Sequence, residues 1–87
     1  MKKLVEVQEV ETEGLVSLMG ERITCFCLNY IYTGKLVGVN EQYIKLENAA
    51  IVYETGAFNE KQWKDSQELP KPVYVMTAAI ESFCVLK

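Results

Sequence analysis

Few side chains in this 87-residue sequence are of a type that does chemistry, and their spacing gives them no help. Histidine, the commonest general base, is missing. Ser17, Ser66 and Ser82 have no activating partner nearby in the sequence. Cys25, Cys27 and Cys84 fall in apolar, strand-like contexts, where a thiol stays protonated and inert. Zinc needs four ligands, and without His or a Cys-x-x-Cys pair they are not present. Asp65 is the only aspartate, and the remaining carboxylates are scattered as solvated charges rather than paired. Gly34 and Gly38 lack the strand-loop-helix context of a phosphate-binding loop. The expectation is therefore no catalysis, no metal and no cofactor.

The cysteines carry a second message. Cys25 and Cys27 lie two apart on one strand and cannot bridge each other there, which leaves Cys84 as the only other partner. They read as small buried hydrophobes in a reducing compartment. A single domain of this length buries only roughly 60–65% of its unfolded surface, so oligomerisation is the expected source of extra stability. Twelve acidic residues against nine basic ones give a net charge of −3, with no basic stripe to favour nucleic acid. The opening Met-Lys-Lys-Leu-Val-Glu is charged every few residues. A signal peptide and a membrane span are not expected, and the default location is cytoplasmic.

The elements that would position these residues are strands. The stretch from Ile23 to Val52 reads as a three-stranded meander: Ile23 to Leu28, Ile31 to Val39, and Tyr43 into the 49–52 run. Asn29-Tyr30 and Asn40-Glu41-Gln42 supply the turns, since Asn tolerates a left-handed backbone. Gly34 and Gly38 mark bends or bulges in the second strand. Before the meander, residues 1–13 read as an extended arm, with an edge strand as the alternative. Leu15, Leu18 and Met19 are spaced for one face of a short helix, capped by Thr12 and stopped by Gly20. A strand there is the alternative. Residues 55–72 lose all periodicity and form one long connection, the length at which a loop is often functional. Asn59 to Gln67 could form a helical turn or two, and Phe58 and Trp63 either anchor the loop or present a contact surface. A short strand, Val73 to Met76, and a longer one, Ala79 to Leu86, follow across Thr77-Ala78.

This pattern resembles the Sm-like family, the ring-forming small barrels of LSm and Hfq type, and among them it is similar to small viral or phage-type members. The family's helix ending in Gly is matched by 15–20, and its alternating apolar strand by Ile23, Cys25 and Cys27. The first Sm motif, Gly-x-Leu-x-x-x-Asp/Asn, is matched by Gly34, Leu36 and Asn40, and the strand that ends it by Ile44, Leu46, Glu47, Asn48 and Ala49. The second motif lines up with 75–80. The implied fold is mostly β: a five-stranded, strongly bent antiparallel SH3-like barrel with a short N-terminal helix or arm, spanning 1–87 as one domain. Its core would hold Ile23, Cys25, Cys27, Leu36, Ile44, Leu46, Val75 and Ile80.

The resemblance implies a homo-oligomeric ring, with Phe26, Leu28, Val73, Val75 and Phe83 as interface candidates. It also places a nucleic-acid-binding site at Asn40, Gln42, Tyr43, Met76 and Thr77. Tyr43 stands where the family has a base-reading Asn, and Met76-Thr77 replace its Arg-Gly pair. The expected function is thus a structural or protein-interaction ring with protein partners. The alternative is a ring that binds RNA or single-stranded DNA through an altered pocket.

Overall fold

In a computed structural model, which describes residues 5–87, the chain forms six antiparallel strands. These are β1 (Arg22–Cys27), β2 (Ile31–Val39), β3 (Tyr43–Glu54), β4 (Asp65–Glu68), β5 (Val73–Met76) and β6 (Ile80–Cys84). The sheet order is β4-β3-β2-β1-β6, and β5 also pairs with β3. The twelve residues of β3 are the spine. Its first half lies between β2 and β5, and its second half between β2 and β4. Among the described residues no pairing joins β5 to β6, so the sheet is open within one chain.

Two bulges bend the central hairpin, and the glycines sit at both. Thr33 pairs with Ala50 but Lys35 with Glu47, so Asn48 and Ala49 together face Gly34. Asn48 takes a positive φ of 49° there, a conformation that Asn tolerates better than most residues. A Cβ on Gly34 would lie 3.0 Å from the Cβ of Leu46 and 3.1 Å from Ala49. The second shift falls between Leu36 and Gly38, where Val37 is the extra residue. The expected bends are therefore real, and one needs Gly34 because two strands touch there.

The inner face carries the core: Leu15, Ile23, Cys25, Leu36, Ile44, Leu46, Ala49 and Val75. Cys27 and Ile80 pack against it only partly buried. The sequence reading missed Leu15 and Ala49 for different reasons. Leu15 precedes the strands, and the bulge at Asn48 turns Ala49 inward against the simple alternation.

Several expectations are corrected. The sequence predicts five strands; the structure has six, because Asp65–Glu68 pairs with Ala50–Glu54 inside what reads as a loop. That strand is polar and exposed on every residue, so no apolar alternation announces it. The predicted helix shrinks to a single 3-10 turn, Val16–Leu18, preceded by Leu15 rather than a Thr12 cap. Asn59 to Gln67 is not helical. Thr77–Ala79 form a 3-10 turn that carries the chain from the β3 side of the sheet to the β1 side, and β6 ends at Cys84 rather than Leu86. Of the arm, the first four residues lie outside the described ones. Val5 and Val7 are exposed, and an isolated bridge joins Val10 to Glu13.

The outer face of the meander is covered too, by the chain's own 55–64 segment. Thr24, Thr33 and Ala50 form one cross-strand row there, and Phe26, Ile31 and Val52 the next. Phe58 meets Phe26 edge-on, with ring centroids 6.5 Å apart. Lys87 Nζ donates hydrogen bonds to the carbonyls of Thr55, Ala57 and Gln62 at 2.9, 3.0 and 3.1 Å, and lies 4.5 Å from the centre of the Trp63 ring. One ammonium thus uses all three of its protons to hold the loop closed.

Candidate nucleic-acid interface

The β2–β3 turn is built by Asn40. Its side-chain Oδ1 accepts hydrogen bonds from the backbone N–H of Gln42 at 2.7 Å and of Tyr43 at 2.8 Å, while its own N–H donates to Tyr43 O. This is an Asx-type turn, in which a side chain replaces a backbone acceptor. The end of β5 is stitched to it: Thr77 N–H donates to Gln42 O at 2.9 Å, and Thr77 Oγ1 donates to Glu41 O at 2.7 Å. Tyr43 pairs with Met76 across the strands. Asn40, Gln42, Tyr43, Met76 and Thr77, dispersed over 38 positions of sequence, therefore meet at one end of the sheet.

Their chemistry differs from what their names suggest. The Asn40 carboxamide oxygen and the Thr77 hydroxyl proton are spent on the turn, so neither is free to read a base. What is presented outward is aromatic and apolar. Tyr43 and Tyr74 pack edge-to-face with centroids 5.4 Å apart, Lys45 Nζ lies 5.7 Å from the Tyr74 ring centre, and Met76 is exposed beside them. Gly38, Val39 and Asn40 complete a shallow depression with Tyr43, Lys45 and Tyr74. Tyr74, at 57% exposure, is the residue that sequence reasoning missed. The strict alternation in Val73–Met76 could have found it, because Val73 and Val75 face Leu46 and Ile44 in the core and so turn Tyr74 outward.

The interface candidates separate as clearly. Leu28 is 73% exposed, directly after β1. Val75, at 4%, is a core residue opposite Ile44 and is corrected as a surface candidate. Val73 and Phe83 are half-buried against the core, and Phe26 is partly covered by Phe58 of its own chain. Phe26 thus has a packing partner within its own chain.

Among the titratable groups the buried thiol stands out. Burial first, and then the charges that Cys27 and Cys84 would carry, push the Cys25 thiol up to about 12. Such a group is neither nucleophile nor ligand at neutral pH. Among the described residues no three of His, Cys, Asp and Glu converge as metal ligands, and no helix is long and apolar enough to cross a membrane. No protein-family model matches the chain, and no curated protein matches it in sequence.

Proposed function

We propose that the chain is a subunit of a closed, ring-like Sm-type assembly that works as a structural or protein-interaction component rather than a catalyst. One observation carries the reading. Among the described residues three short strands edge the sheet, β4 and β5 with four residues each and β6 with five, every one paired on one side alone; β5 and β6 are the two edges that the reading joins between copies. An unpaired edge is a template for another strand, and pairing two different edges of successive copies is heterologous. When the rotation closes, such pairing generates a ring. Bulges such as those at Gly34 and Gly38 add local bend and twist to a strand pair, which favours closure over an open stack.

Multi-angle light scattering tests this directly. The expected mass corresponds to about five to seven chains and holds on dilution through the micromolar range. A mass of one chain at every concentration would refute the assembly.

The second reading, a ring that binds RNA or single-stranded DNA, is favoured by the Tyr43–Tyr74–Lys45 cluster. Exposed rings beside a cation suit base stacking, a contact worth about 1–3 kcal/mol per base. Against it stands the charge of −3 per chain, which a ring would multiply. Fluorescence anisotropy with labelled oligo-U at low and moderate salt is expected to show weak, salt-sensitive binding. Tight binding that survives moderate salt and collapses in Tyr43→Ala would make the second reading the right one.

A further inference from the structure

A second surface feature shares no residue with the Tyr43 cluster. Where the 55–64 segment crosses the outer face, it leaves a cleft of about 330 Å³, at the small end of ligand-site volumes. Arg22, Lys61 and Lys87 line it, together with Trp63, Ala50 and Glu68. In an acidic chain, three of the nine cationic side chains meet here with one of the twelve acidic ones. Two of these cations are already held in place. Lys87 is fixed by its three carbonyls, and Arg22 Nη1 donates to Asn48 O at 2.8 Å, the carbonyl of the left-handed bulge residue. Charge positioned before binding does not have to be ordered by the ligand, and that is the chief cost of recruiting Lys and Arg. The Arg22 guanidinium keeps further N–H groups for a planar or tetrahedral anion. Trp63, the only tryptophan, is half-buried and has Lys87 over its ring. With the buried Ala50 it gives the cleft an apolar wall suited to a flat ring. Glu68 offers an acceptor for a hydroxyl or amino group.

We infer that this cleft binds a nucleoside monophosphate: the phosphate on Arg22 and Lys61 in the fixed field of Lys87, the base against Trp63, and a sugar hydroxyl or base amino group on Glu68.

The test uses the full-length protein, with AMP as probe and the quenching of Trp63 fluorescence and titration calorimetry as readouts. AMP is expected to saturate at one site per chain, with adenosine and inorganic phosphate each at least about tenfold weaker. Arg22→Gln and Lys61→Gln should each weaken AMP about tenfold, the scale of one lost charged hydrogen bond. Lys61 is exposed, so an unchanged melting temperature in Lys61→Gln shows that the fold is intact. Tyr43→Ala should leave AMP binding as it was. No saturable signal with AMP, wild-type affinity in both charge variants, or loss of binding in Tyr43→Ala would each overturn the assignment.

Discussion

Cys25 shows how position alone decides the character of a residue. The same thiol that would titrate near 9 in an open chain is held near 12 by burial. The unfolded chain therefore loses the proton first as pH rises. Below pH 9 both states carry it and the contribution to stability is complete. Between 9 and 12 only the unfolded form ionises, and stability should fall by about 1.4 kcal/mol per pH unit, until the folded thiol ionises as well. Urea melts at pH 8, 9, 10 and 11 on the wild type and Cys25→Ala check this; the variant should lose the part of the slope due to this thiol. Reaction with a thiol reagent at pH 8 should label exposed Cys84 fast and Cys25 only at the rate of unfolding. Equal rates at the two would mean that Cys25 is not in the core. Thr24 is the complementary case, with a buried Oγ1 that has no hydrogen-bond partner. Thr24→Val should stabilise the fold by about 1 kcal/mol in the same melts, because it removes an unmet donor while keeping the shape.

At the scale of elements, the bulged β2–β3 hairpin and the polar β4 show what sequence reading can reach. The hairpin was legible because each of its signals is local: β-branched and aromatic residues in Ile31–Val39, an Asn at the turn, and glycines where the register shifts. The core was legible for the same reason at Ile23, Cys25, Leu36, Ile44, Leu46 and Val75. β4 was not, since Asp65–Glu68 joins the sheet by backbone pairing to β3 and carries no apolar residue. The carbonyl cage around Lys87 was hidden likewise, because backbone acceptors from Thr55 to Gln62 leave no mark in side-chain identities. The Tyr43 cluster was half legible: Tyr43 and Met76 were named and the alternation in Val73–Met76 points Tyr74 outward, but that Tyr74 lies beside Lys45 follows only from the β3–β5 register. The hairpin also supplies a prediction. In Gly34→Ala the new methyl would press on Leu46 and the backbone of Ala49. A loss of about 1–3 kcal/mol in chemical denaturation is expected. Gly38→Ala, where the nearest contact is Lys45 Cβ at 3.4 Å, should cost less. The reverse order would show that the bulge at Asn48 can slide.

For the molecule as a whole, the consequence of β3 lying between other strands along most of its length is best expressed in amide exchange. Ile44 and Leu46 sit between β2 and β5, and Ala50 and Val52 between β2 and β4. Their N–H groups can meet deuterium only when a neighbouring strand leaves, so the spine should record the slowest exchange in the chain, at the rate set by global opening. β6 is held from one side alone, by β1. In an isolated subunit its outward amides should therefore exchange within seconds, and in a closed ring a neighbour's strand would seal them. The β6 peptide thus becomes a clock for assembly: its protection should persist as long as the ring does and vanish only on dilution below the micromolar range, while that of β3 stays constant.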